Sequence, residues 1–223
     1  MTTETSHTAT DLFERMRATN PLVQCITNYV AMNYAANVLL AAGASPAMVH
    51  TPEESGEFAA IAGALTVNIG TLSPSWVEGM ITAAKSANDA EKPWVLDPVA
   101  HFATGYRRNA VAGLLKLNPT VIRGNASEII ALGGGQSAGQ GVDSGDPVEQ
   151  AEDAARSLAS SQGCVVAVTG AVDFVTDGTR SVRIAGGSYL MPKITATGCS
   201  LTALVGAYLA IAPDQAFDAT VAA

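Results

Sequence analysis

Short apolar runs recur along this chain, and nearly every one is followed by a longer stretch whose apolar positions return every three or four residues. The runs Leu22–Ile26, Ser45–Val49, Leu65–Ile69, Trp94–Asp97, Thr120–Arg123 and Cys164–Thr169 predict strands covered on both faces, because apolar residues do not alternate cleanly with polar ones. The stretches between them carry helix signals. Asp11 and Glu14 stand at capping-box spacing at the start of a helix to Ala18, and Thr27-Asn28 caps a helix over Tyr29–Ala42 that Gly43 closes. Thr51-Pro52-Glu53-Glu54 reads as cap, first-position proline and acidic first turn of a helix to Gly63. Ser73-Pro74 starts a helix to Ala87, Gly105–Leu117 is helical, Asn125 caps a short helix to Leu132, and Asp146-Pro147 starts a helix to Ser161. Gly133–Gly145 is a polar Gly/Ser stretch that predicts a mobile surface loop. Asp177-Gly178, flanked by Asp173–Thr176 and Arg180–Ile184, is a hairpin signal. Alternating strands and helices predict one α/β domain with three layers, α/β/α, whose mostly parallel central sheet ends in an antiparallel hairpin. Ligands of such sheets bind beyond the carboxyl ends of the strands.

Two helices break the usual pattern of a charged outer face. From Cys199 to Ala212 there is no charge, so the segment must be buried nearly all round, and it stops at Pro213, short of the roughly 20 residues that span a bilayer. It is preceded by Thr195-Ala196-Thr197-Gly198, a small flexible turn, so its first peptide N–H groups form an anion hole in outline. The Tyr29–Ala42 helix is also free of charge, with Asn33 and Asn37 one turn apart on one face. Such a helix is either deeply buried or packed against another subunit, and the amide stripe favours the subunit.

Charge and cysteine usage narrow the partners. A chain of 223 residues can bury a sizeable core, and its formal net charge of -8 disfavours a nucleic-acid or anionic-membrane surface, leaving a small molecule as the partner. Met1–Asp11 has no basic segment followed by an apolar run, so a cytoplasmic location is expected. Cys25, Cys164 and Cys199 lack disulfide or zinc spacing, and His7, His50 and His101 add no ligand pattern.

No strand leads into a Gly-x-Gly-x-x-Gly turn or a Gly-Lys-Ser loop, so another device must hold any phosphate. Asp97 alone is a turn residue, and Asn125-x-x-Glu128 alone is a capping box. Together, Asp97, Arg123 and Glu128 put two carboxylates and a guanidinium at one sheet edge, which suits an outer-sphere magnesium site with a phosphate clamp. Thr169-Gly170, at the next strand end, adds hydroxyl and N–H donors. Cys199, at a helix N-terminus where thiol pKa values fall, is a weak base, a positioning group or, with a histidine beside it, a covalent nucleophile.

The segments Asn20–Asn28, Gly43–Met48, Leu96–Val99, Arg123–Ile129, Val168–Gly170 and Thr197–Cys199 resemble, in order and across almost the whole chain, the hydroxyethylthiazole kinases. These are ribokinase-like enzymes of thiamine salvage. The resemblance implies magnesium- and ATP-dependent phosphorylation of the hydroxyl of 4-methyl-5-(2-hydroxyethyl)thiazole, by a homotrimer with sites at subunit interfaces. It implies that Asn28 and Met48 line the thiazole pocket with Ala196 beside the hydroxyethyl group, and that Arg123 and Thr169 hold ATP phosphates. Asp97 and Glu128 would organise magnesium, Thr197-Gly198-Cys199 would be the anion hole, and Cys199 would stand where many ribokinase-like enzymes carry an Asp base. A non-catalytic binder of nucleotide or thiazole, or a kinase of another small alcohol, are the alternatives. Gln24 stands where that family has His, Ala196 where Gly is frequent, and Ala223 comes before the family's usual final helices.

Overall fold

The computed structural model describes residues 3–135 and 147–223. Its strands are β1 (Leu22–Ile26), β2 (Ser45–Ala47), β3 (Ala64–Asn68), β4 (Trp94–Asp97), β5 (Val121–Asn125), β6 (Val165–Thr169), β7 (Val172–Thr176) and β8 (Ser181–Ala185). They form one sheet in the order β2-β1-β3-β4-β5-β6-β7-β8, parallel through β6 and antiparallel across β7 and β8. The chain moves outward from β1 to β2 and then crosses back to β3 on the other side of β1. That reversal opens a crevice past the carboxyl ends of β1 and β3.

Helices cover both faces. One layer holds α3 (Pro52–Ile61), α4 (Pro74–Asp89), α5 (Gly105–Leu115), α6 (Ala126–Leu132) and α7 (Val148–Gln162); the other holds α1 (Thr3–Thr19), α2 (Met32–Ala42), α8 (Thr197–Ile211) and α9 (Ala216–Ala222). Strands β1, β4, β5, β6 and β7 feed both cores. Leu96, Ile122, Val166 and Val168 enter the first, while their neighbours Val95, Val121, Val165 and Ala167 enter the second. This is the period-2 alternation of a strand with apolar residues on both sides, and it explains the unbroken apolar runs.

No residue of α8 is exposed, as its lack of charge requires. It lies directly on the sheet because position 206 is glycine: a Cβ there would come within 2.4 Å of the Thr66 methyl group. α2 behaves differently. Only Ala35 and Leu39 on it are fully buried, and Tyr34 and Leu40 remain exposed.

Boundaries shift where local hydrogen bonds compete with the pattern. α1 begins at Thr3, well before the capping box at Asp11. α2 begins at Met32 instead of Tyr29, because Asn28 Oδ1 accepts the N–H groups of Val30 (3.1 Å) and Ala31 (3.0 Å) and forms a turn first. β2 stops at Ala47, with Pro46 on an edge strand where a missing donor is tolerated. α9 had no expected counterpart. The expected loop over Gly133–Gly145 lies, from position 136 onward, outside the described residues, as does Asp146. Among the described residues no helix is long and apolar enough to cross a membrane.

Candidate active site

The side chains singled out at the strand ends converge on the N-terminus of α8. Arg123, the third residue of β5, donates through Nη2 to Thr169 Oγ1 at the end of β6, and its Nη1 lies 3.6 Å from Asp97 Oδ2. The guanidinium packs against the backbone of Gly198, where a Cβ would stand 2.7 Å from Nη1 and 2.8 Å from Nη2. The first ladder bond of α8 runs from the Ser200 N–H to the Ala196 carbonyl at 2.9 Å, so the N–H groups of Thr197, Gly198 and Cys199 precede the ladder. Ala196 holds the turn before them in the left-handed region, with φ of 65°.

Asp97, the last residue of β4, is fully buried. Its Oδ2 accepts from Asn68 Nδ2 at 2.7 Å and from Thr202 Oγ1 at 2.8 Å, while the equally buried Oδ1 has no partner among the described residues. Burial pushes this carboxyl above the usual carboxylate range, against the pull of Arg123, Thr202 and Asn68. Glu128 is buried as well. Its Oε1 accepts the Ala100 N–H at 2.9 Å and its Oε2 the Asn125 N–H at 2.8 Å, while Asn125 Oδ1 accepts the Glu128 N–H at 2.9 Å. The capping box therefore exists, and it does not exclude the second role. Burial first, and the charge of Asp97 second, push the Glu128 carboxyl up, so two acidic groups share one poorly hydrated space.

Asn28 follows β1. Its Nδ2 donates to Asn68 Oδ1 at 2.9 Å and to Cys199 Sγ at 3.3 Å. An unbroken hydrogen-bond chain thus runs from Cys199 through Asn28 and Asn68 to Asp97. The expected lowering of the Cys199 pKa by the helix end is overturned: burial, then the charge of Asp97, push the thiol up, and they outweigh the favourable contacts of Asn28, Arg123 and Asn68. Among the described residues, the groups that shift this thiol are Asp97, Asn28, Arg123 and Asn68, none of them the histidine base that a covalent cysteine mechanism uses. Met48 lies just past β2, half-buried against the core that α1, α2 and α8 share, and takes no part in the chain of hydrogen bonds. Gln24 stays inside the sheet, its Nε2 donating to the Val49 carbonyl at 2.9 Å and the Ser55 carbonyl at 3.1 Å.

Two residues of this group escaped the sequence reading. Asn68 left a usable signal, being an amide within the apolar run of β3 and the last residue of that strand. Thr202 left none, since a threonine in an uncharged helix is ordinary. Only the packing of α8 across β4 brings its hydroxyl to Asp97.

The sequence profile of the Hydroxyethylthiazole kinase family matches residues 13–223. The chain belongs to this family. Among curated members, the hydroxyethylthiazole kinase of Rhizobium johnstonii is 72% identical over 220 residues, which cover 99% of this chain and 82% of that protein. That of Cereibacter sphaeroides is 66% identical over 210 residues, covering 94% and 79%. A solved hydroxyethylthiazole kinase structure, from Pyrococcus horikoshii OT3, superposes with a TM-score of 0.86 at 38% identity, over 96% of this chain and 80% of that one. An ADP complex of Bacillus subtilis pyridoxal kinase gives a TM-score of 0.67 at 19% identity, over 90% and 87%, and supports the ribokinase-like fold alone. The expected three-layer architecture and the family resemblance both hold.

Proposed function

We propose that the protein transfers the γ-phosphoryl group of ATP to the primary hydroxyl of 4-methyl-5-(2-hydroxyethyl)thiazole, giving ADP, the phosphate ester and a proton. The observation that carries this reading is the contact of the Arg123 guanidinium, itself bonded to Thr169, with Gly198 at the open N–H end of α8. An anion-binding helix end, a cation and a hydroxyl meet where the Asn28–Cys199 pair begins, the combination that phosphoryl transfer requires.

Arg123 and Thr169 hold the nucleotide phosphates, and the N–H groups of Thr197, Gly198 and Cys199 receive charge that develops on the transferred group. Asn28, Met48 and Ala196 line the acceptor side. With its thiol pushed up and therefore protonated near neutral pH, Cys199 orients the alcohol, whose proton is released late to water, without becoming a nucleophile.

The unpartnered, buried Asp97 Oδ1 beside the destabilised Glu128 carboxyl fits a cation held through water better than an all-protein cage, since among the described residues no group of three or more acidic, His or Cys side chains gathers. Asp97 and Glu128 would hold the magnesium ion of MgATP, whose chemistry there is to neutralise phosphate charge. The exposed Tyr29, Val30, Tyr34 and Leu40, on and just before the charge-free α2, support a homotrimer with sites at its interfaces.

The test is phosphorus NMR of a reaction containing protein, MgATP and the thiazole alcohol. A new phosphate-ester resonance growing in step with ADP is expected. Folded protein that binds both substrates yet forms no ester would leave the non-catalytic reading instead.

A further inference from the structure

Asn68 carries an inference that deepens this reading of the site and rests on it. We propose that Asn68 is a positioning residue for phosphoryl transfer, a single amide that holds the acceptor side, Asn28 and Cys199, in register with the phosphate side at Asp97.

The amide's orientation is decided by a group that can only donate. The Gly70 backbone N–H points to Asn68 Oδ1 at 2.9 Å, so that atom is the oxygen and the atom 2.7 Å from Asp97 Oδ2 is the nitrogen. With Oδ1 set, Asn28 must turn its own nitrogen to Asn68, at 2.9 Å, and its oxygen to the Val30 and Ala31 N–H groups. The remaining hydrogen on Asn28 Nδ2 then goes to Cys199 Sγ. Backbone N–H groups at both amides, Gly70 at Asn68 and Val30 and Ala31 at Asn28, therefore set one polarity along the row. Asn68 is 2% exposed, Asn28 5% and Asp97 0%, so water is in no position to replace a lost partner.

The anchor is itself clamped. Arg107, from α5, donates to the Gly70 carbonyl at 2.6 Å, the Ile69 carbonyl at 2.9 Å and the Val99 carbonyl at 2.8 Å, tying the turn after β3 to the turn after β4. Asn68 sits at the crevice beside β1, so it links the strand that supplies Asn28 to the strand that supplies Asp97.

The two ends of the amide can be separated. Asn68→Asp keeps an oxygen for Asn28 and Gly70 but turns an oxygen, not an N–H, toward Asp97; Asn68→Ala removes both ends. The readouts are calorimetric affinity for the thiazole alcohol without nucleotide, steady-state kcat and KM for each substrate, and thermal unfolding. For Asn68→Asp, acceptor affinity is expected to stay within about 3-fold of the parent while kcat falls about 100-fold. For Asn68→Ala, acceptor affinity is expected to fall about 10-fold as well, because Asn28 Nδ2 loses its acceptor. If the alanine variant does not fold, Asn68→Ser, with its shorter hydroxyl, takes its place with the same expectation. An active parent whose two variants lose affinity and kcat in the same proportion, or lose neither, overturns this proposal alone. A parent that forms no phosphate ester overturns the functional reading, and this proposal with it.

Discussion

Gly198 and Arg123 touch across the site: a Cβ on residue 198 would lie 2.7 Å from Nη1 and 3.1 Å from the central guanidinium carbon. On the proposed reading, the helix end and the cation serve one phosphate together, and they keep this approach only while position 198 has no side chain. Gly198→Ala is expected to fold, since the helix tolerates alanine, and to displace Arg123 from Thr169. The apparent KM for ATP should rise and kcat/KM fall by about 100-fold, with acceptor affinity changed much less. Nucleotide kinetics close to the parent's would show that Arg123 does not work from this position.

Arg123→Ala and Glu128→Gln are expected to lower turnover far more than they lower thiazole affinity. Glu128 uses both carboxylate oxygens for backbone N–H groups, so the glutamine variant sets an NH2 against one of them and should also cost about 1–2 kcal/mol of stability. Chemical denaturation and activity at saturating magnesium separate the two effects. Normal turnover in a destabilised Glu128→Gln protein would reduce Glu128 to a cap.

Asp97 makes a sharper case, because its burial opposes its charge. A carboxyl whose native pKa is raised binds more protons in the folded than in the unfolded chain. Stability contributed by Asp97 and Glu128 therefore falls as pH rises from the ordinary carboxylate value, about 4, toward the raised native one. Asp97→Asn keeps an oxygen for Asn68 and Thr202 and removes the charge. Without magnesium at pH 8 its thermal midpoint is expected to exceed the parent's, while its kcat drops at least ~100-fold. A lower midpoint would mean that the Arg123 pairing outweighs burial.

Cys199 should behave as a protected thiol. With its pKa raised, alkylation by iodoacetamide is expected to be slower at pH 8 than for a free cysteine and to keep accelerating above pH 9. Cys25 and Cys164 do not confuse the measurement, since burial pushes them to about 11 and about 12. Cys199→Asp and Cys199→Ser should both remain kinases, the aspartate because it faces the Asn28 amide and offers the alcohol a carboxylate in place of a protonated thiol. A folded but inactive aspartate variant, with a phosphoryl adduct on the parent's thiol by mass spectrometry, would favour covalent catalysis.

Light scattering at micromolar concentration is expected to give three times the chain mass. Leu40→Glu, on the exposed side of α2, should shift it toward one. A parent that already runs as a monomer removes the subunit role of α2.

Local physics made much of this legible in the chain itself. Apolar runs bounded by Pro, Gly and Asn determine the strands and helices, and the charge-free stretch after Gly198 determines that α8 is buried, because each depends on neighbours a few residues away. The strand-end rule brought Asp97, Arg123, Glu128 and Thr169 forward before any contact was known. Sequence spacing could not decide what those groups do to one another. The Cys199 pKa follows from the depth of burial and the charge of Asp97, over one hundred positions earlier in the chain. Thr202 reaches Asp97 only because Gly206 lets α8 settle onto β3, and Asn68 becomes the centre of the polar row only because the sheet order sets β3 beside β1. Burial and long-range charge act through space, and the fold alone sets the distances at which they act.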